Sequence, residues 1–171
     1  MIEPPSSMDD KDLRDELRDS LLAALDPLPT RAGGTAIVLA TAGPPPAVTL
    51  LSTGDVVVDG DTVRIAVFAD NSAAARLGGT CTLLAPTDRG ALRVSLQPAF
   101  VREAGQLSVI EGNIVSLRPS YEPPWSLRLE FFPVAEQGRD AFVEYWAQVR
   151  LWLERGAPGE GPQPPTIHSG M

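Results

Sequence analysis

Apolar positions along this 171-residue chain fall into strand-sized runs separated by Gly, Pro and Asp, with helical spacing only near the two ends. One stretch, residues 46–77, organises the rest. Residues 47–51 are mostly apolar and end in Ser52-Thr53-Gly54. Residues 56–58 are three valines stopped by Asp59-Gly60-Asp61, and residues 62–68 make a third run. β-Branched residues bounded by Asp-Gly punctuation predict strands joined by tight turns. Asn71-Ser72 then predict the cap of a short helix over 73–77, because their side-chain oxygens accept from the otherwise unpaired N–H groups of a first turn. Gly78-Gly79 stops that helix.

Residues 1–8 carry no such pattern and are expected to be disordered. Asp9-Asp10 open a helix over 9–25, in which Leu13, Leu17, Leu21 and Leu25 step by four along one stripe. Acids at its start suit the helix dipole, and Pro27 ends it by disfavouring helical geometry at Asp26. The stripe either packs the helix against the strands or makes a dimer or partner contact.

Residues 35–41 predict the first core strand, apolar enough to be covered on both faces, and 42–46 a stiff Gly/Pro connection. Further strands are expected over 80–85 and 91–102, with a turn at 86–90 between them. In the second, Leu92, Val94 and Leu96 alternate with Arg93, Ser95 and Gln97, which marks a half-exposed strand. Pro98 marks a bulge or an edge. A strand over 106–117 bends at Gly112-Asn113, and residues 118–125 form a loop before a last strand over 126–132.

The final helix, 137–155, sets Phe142, Tyr145, Trp146, Val149, Trp152 and Leu153 on one broad face. That aromatic stripe reads as core, with a cofactor box as the alternative. Gly156 ends the helix, and residues 156–171 have the Gly/Pro content of a disordered tail. The sum is one mainly β domain over 9–155: helix, six or seven strands with one short helix among them, then helix. Strands at this spacing with Gly and Pro corners predict a closed antiparallel barrel.

Composition narrows the function. Acids outnumber bases by 22 to 14, for a net charge of −8, which argues against binding nucleic acid or an anionic membrane. No apolar run is long enough to cross a bilayer, and the acidic start MIEPPSSMDDKD lacks signal-peptide character, so a cytoplasmic protein is expected. Lys11, the only lysine, leaves the globular part without a Schiff-base or P-loop lysine. Cys81 is the only cysteine, which excludes an internal disulfide and a cysteine metal site. It reads as a buried strand residue rather than a reactive thiol. His168, the only histidine, lies in the tail, so neither a Ser-His-Asp triad nor a histidine zinc site is expected. No residue stands out by spacing as an acid/base catalyst.

The 46–77 stretch resembles the split-barrel flavoproteins related to pyridoxamine 5'-phosphate oxidase. In many small members, two strands around a Gly-containing turn lead into Ser-x-Lys or Ser-x-Thr and then Asn-Leu. Here Asn71 stands at the Ser, Ala73 at the Lys or Thr, and Arg76-Leu77 at the Asn-Leu. The resemblance spans residues 32–155 in layout, through common residues at loose spacing. It implies a split β-barrel of six or seven antiparallel strands between N- and C-terminal helices, two copies paired as a homodimer, and FMN in the groove between subunits. The implied activity is that of a flavin-dependent oxidoreductase, its substrate left open.

By the same resemblance Leu51, Ser52 and Thr53 lie along the flavin ring. Asn71, Ser72, Ala73 and Arg76 then meet the phosphate, which needs converging N–H, hydroxyl and cationic donors. Trp125 either stacks on a ring or caps the barrel end, and Ser52-Thr53-Gly54 also reads simply as a strand end and turn.

There are departures. Ala73 stands where the family often has a lysine, and the arginine common on the preceding strand pair has no match within 47–51. Arg64 and Arg76 are the nearby cations, although Arg64 also fits a solvent-facing position, and Arg93 compensates only if the barrel brings it round. Losing two charge-assisted contacts of about 1.5–3 kcal/mol each weakens phosphate binding by orders of magnitude. The alternative is therefore a flavin-free split-barrel dimer that binds another small molecule or a protein partner. Deazaflavin or haem also stays open, though a His-ligated haem is disfavoured. A third reading is an interaction protein whose terminal helices assemble a complex.

Overall fold

The computed structural model describes residues 10–42, 46–70, 79–88, 90–121, 128–131 and 138–156. The expected disordered N-terminus, the tail beyond Gly156 and the capped helix over 73–77 lie outside these residues, as do Trp125 and the ends of the strand expected over 126–132.

Among the described residues, two helices flank an antiparallel sheet. Helix α1 is Asp10–Leu25 and α2 is Arg139–Glu154. The strands are β1 (Gly34–Thr41), β2 (Ala47–Ser52), β3 (Val56–Asp59), β4 (Thr62–Phe68), β5 (Cys81–Thr87), β6 (Gly90–Ala104), β7 (Leu107–Tyr121) and the two-residue β8 (Glu130–Phe131). Seven of them follow the order β2-β1-β5-β6-β7-β4-β3, and β8 pairs with the start of β1.

The closed barrel expected from the strand spacing is corrected here. No ladder joins β2 to β3; the chain itself joins them, through a single 3-10 turn, Thr53–Asp55. The reason is local. Ser52 N–H, which would extend a ladder, donates instead to the Asp55 carboxylate at 2.7 Å, and the chain turns away. The fold is a split antiparallel barrel with flanking helices.

Alternation fills its inside. Ile37 and Leu39 of β1, Val63, Ile65 and Val67 of β4, Leu83 of β5, and Leu92, Val94 and Leu96 of β6 share one buried cluster with Leu21 and Leu25 of α1. Each of those two leucines contributes about 1.5–3 kcal/mol by leaving water. The stripe of α1 thus packs on the barrel at its C-terminal half, while Leu13 stays 41% exposed. Val38 and Ala40 of β1, expected to be covered, are only half-buried.

A second cluster sits on the outer face, where Val149, Trp152 and Leu153 of α2 cover Val57, Ala66, Leu107 and Val109. Arg150 ties the two helices together by donating to the carbonyls of Leu25 and Asp26, which end α1 without helical partners.

Three register shifts bend the long β6–β7 hairpin, one of them leaving Ser120 unmatched between Pro119 and Tyr121. Pro98 pairs with Gly112 and Phe100 with Glu111, leaving Ala99 as the extra residue, so the bulge expected at Pro98 is present. Only glycine fits opposite: a Cβ on Gly112 would stand 2.8 Å from the Gln97 carbonyl oxygen. A further shift leaves Val115 unmatched between Ile114 and Ser116, which accounts for its exposure.

Several boundaries differ from expectation, β6 running on to Ala104 among them. Pro86 and Thr87, expected in a turn, extend β5 opposite Ala91 and Gly90. Residues 118–121, expected in a loop, continue β7 against Arg93, Leu92 and Ala91. The described part of the strand expected over 126–132 is shortened to β8.

Candidate functional site

The split between β2 and β3 is where chemistry collects. Ser52 caps the 3-10 turn: its hydroxyl donates to Asp55 Oδ2 at 2.8 Å and accepts from Gly54 N–H at 3.1 Å. With the Ser52 backbone bond, both contacts to Asp55 fall on Oδ2, and among the described residues Oδ1 takes no hydrogen bond. Thr53 Oγ1 donates to the Pro27 carbonyl at the end of α1. Gly54 lets α2 settle directly on the turn, because a Cβ there would collide with Trp146.

Where α2 crosses the turn, a pocket of about 250 Å³ opens. Ala36, Leu50, Leu51, Ser52, Asp55 and Phe68 form one side. Glu130 and Phe131 of β8 and Phe142, Tyr145 and Trp146 of α2 form the other. The rings make a wall: the Phe131 and Trp146 centroids are 5.1 Å apart, and those of Phe142 and Trp146 are 6.0 Å apart.

Against that wall a carboxylate loses solvation. Burial pushes the Asp55 carboxyl up to about 6, opposed by the two Ser52 hydrogen bonds, which favour the ionised form. Burial and the nearby Asp55 carboxylate push the Tyr145 phenol up to about 12. A carboxyl that ionises near 6 beside aromatic walls can hold a proton or a cation at the pocket.

The outer face of β2 continues from the pocket as an apolar strip, with Val48 67% and Leu50 69% exposed. Among the described residues, strand β2 ends the sheet. Since Ser52 N–H points away from β1, residues two apart along the ladder turn their backbone groups the same way, so those of Leu50 and Val48 face the free edge.

Of the residues that the resemblance assigns to a flavin, Leu51 and Ser52 line this pocket. Thr53 is buried beside it, its hydroxyl bonded to Pro27. Asn71, Ser72, Ala73, Arg76 and Trp125 lie outside the described residues. The strand-end-and-turn reading of Ser52-Thr53-Gly54 describes their local structure.

Arg64 is held elsewhere, by Glu111 at 2.9 Å and Asp59 at 3.7 Å, with its side chain 15% exposed. Arg93 lies exposed on β6 and does not line the pocket. The aromatic stripe of α2 divides: Val149, Trp152 and Leu153 are core, whereas Phe142, Tyr145 and Trp146 face the pocket.

Asp55 and Glu130 line the pocket without standing out along the chain as site residues. Asp55 has a local signal, the Ser-x-x-Asp spacing from Ser52, which marks a cap in which the acid folds back on the serine. Glu130 has none, since only the pairing of β8 with β1 brings it to the site.

No family model matches the sequence, and no curated protein matches it. Solved structures do align with it. BorF, the flavin reductase component of a bacterial two-component tryptophan halogenase, aligns at a TM-score of 0.44 and 13% identity, over 54% of this chain and 84% of its own. The Streptomyces globisporus C-1027 NADH:FAD oxidoreductase SgcE6 gives 0.46 and 15%, over 75% and 95%. The styrene monooxygenase flavin reductase of Pseudomonas putida S12 gives 0.44 and 11%, over 66% and 90%. At these scores the assignment of the fold rests on the strand order above.

Proposed function

We propose that this chain is a flavin-binding split-barrel protein working as an oxidoreductase, with FMN as its flavin and two copies forming the binding groove. One observation carries the reading. Leu51 and Ser52, which the resemblance sets beside the flavin ring, line an aromatic-walled pocket at the foot of the exposed strip of Val48 and Leu50. A flat ring laid on that strip removes from water apolar surface that is otherwise two-thirds open, and meets the outward backbone groups of an edge strand.

The ring is assigned to that strip. The phosphate is assigned to Asn71, Ser72 and Arg76, with Ala73 supplying backbone alone. A bound flavin supplies the electron transfer. The chain's own residues orient the ring at the β2 edge and, through Asp55 and Tyr145, line the space beside it.

A second reading is favoured by charge. The described residues lining the pocket include two carboxylates, Asp55 and Glu130, and no lysine or arginine. A split barrel that takes a different, flavin-free small ligand agrees with that lining.

An absorbance spectrum of the purified protein, followed by FMN titration read by flavin fluorescence, separates the two. A band near about 450 nm, where flavins absorb, or saturable quenching supports the flavin reading. Asn71→Ala and Arg76→Ala are then expected to weaken binding by about tenfold or more each. A colourless protein that ignores FMN at high concentration overturns it and leaves the flavin-free barrel standing.

A further inference from the structure

We propose that the pocket at the split takes a small, phosphate-free organic ammonium ion, its apolar body against Trp146, Phe131 and Phe142 and its charged head on Asp55. The inference concerns the space beside the flavin edge and does not rest on flavin being bound, because the acid and the three rings it uses all come from one chain.

Three features converge on this ligand class. The first is sign of charge. Asp55 and Glu130 line the pocket, no cation does so among the described residues, and the whole chain carries −8. Phosphates and carboxylates are repelled and cations drawn in.

The second is the wall. Three clustered rings, with Phe131 and Phe142 each within 6.0 Å of Trp146, present π-faces and edges to the same volume. A ring face attracts an ammonium group, most strongly where water is thin.

The third is how Asp55 is held. Ser52 grips Oδ2 through both its N–H and its hydroxyl, which fixes the carboxylate plane. Oδ1 has no hydrogen bond among the described residues, and it is the acceptor left for an incoming N–H donor. An acid placed only to close the turn needs neither an aromatic pocket in front of it nor a second acid at the rim. About 250 Å³ suits an amine with a single ring and falls short of a dinucleotide.

The test uses the flavin-free 171-residue chain and three matched probes: phenethylamine, phenethyl alcohol and 3-phenylpropionate. Binding is read by calorimetry and by tryptophan fluorescence. Phenethylamine is expected to saturate one site about tenfold or more tighter than the alcohol, with the carboxylate binding weakest. Asp55→Asn is expected to bring the amine down to the level of the alcohol and leave the alcohol unchanged.

If Asp55→Asn does not fold, Glu130→Gln stands in for it. Its exposed rim position makes a several-fold loss of amine affinity readable without loss of stability. Equal or tighter binding of the carboxylate overturns the proposal, as does an Asp55→Asn protein that binds amine like the wild type. No amine binding at all also overturns it. FMN is titrated separately into the same preparation, so that amine binding without FMN binding sinks only the flavin reading, and the reverse sinks only this one.

Discussion

A side-chain carbon placed on Gly54 would stand 2.7 Å from Trp146 Cβ, closer than real carbons approach. Residue 54 thereby sets how near α2 comes to the turn that links β2 and β3. Its neighbours on either side are engaged as well, Thr53 with the end of α1 and Asp55 with Ser52. Gly54→Ala is expected to destabilise the protein by about 1–3 kcal/mol, since overpacking against helix backbone has no flexible tip to yield. Urea unfolding measures the loss, and a shift in tryptophan emission reports that Trp146 has moved.

Asp55 makes stability fall as pH rises. Its carboxyl ionises near 3.8 when unfolded and is pushed up to about 6 when folded. Between those values the folded state holds the proton that the unfolded state has released, so stability is full below about 4 and declines as pH climbs through 6. Ser52 donates two bonds to the carboxylate and limits the decline, while Tyr145 stays neutral throughout. The difference between wild type and Asp55→Asn isolates the effect from other acids. It is expected to be about 3 kcal/mol, levelling above about pH 7. A difference of opposite sign would mean that the folded state favours the carboxylate.

Arg150 carries α1 on α2. Its guanidinium serves the carbonyls of Leu25 and Asp26 and also pairs with Glu154 at 3.2 Å. Arg150→Met keeps the stem and removes the donors, and a loss of about 1–2 kcal/mol is expected in thermal unfolding. The exposed Arg14–Asp61 pair at 3.4 Å is the contrast: Arg14→Met is expected to change stability by no more than about 0.5 kcal/mol.

Cys81 is 1% exposed, and burial raises its thiol. A thiol reagent that colours on reaction is therefore expected to leave the native protein untouched and to titrate one thiol in denaturant. Rapid reaction under native conditions would reveal opening of β5 near its pairing with Leu96.

Local chemistry made much of the fold legible. Strand β4 and helix α1 lie within a residue of their expected bounds because Asp-Gly punctuation and the Asp26-Pro27 stop act on the chain nearest them. The bulge at Pro98 was legible for the same reason. Openness of the barrel was not, since strand spacing says nothing about whether the outermost strands find each other. The pocket was harder still. Tyr145 and Trp146 share a helical face with Val149 and Trp152, and only the angle at which α2 crosses the sheet decides which rings are core. Leu51 and Ser52, which the resemblance sets beside a flavin, line the pocket, whereas Asp55 depends on reading a serine cap three residues earlier.

The outermost strands of the sheet are separated along the ladder by five others, yet along the chain by three residues. Loop-closure entropy at the split is therefore close to its minimum, and covalent continuity does the work that hydrogen bonds do at every other seam. Cutting the backbone between Gly54 and Asp55 would break no ladder bond and would leave β2 on β1 and β3 on β4, with only the covalent link between the two margins lost. The seam is made of peptide bonds.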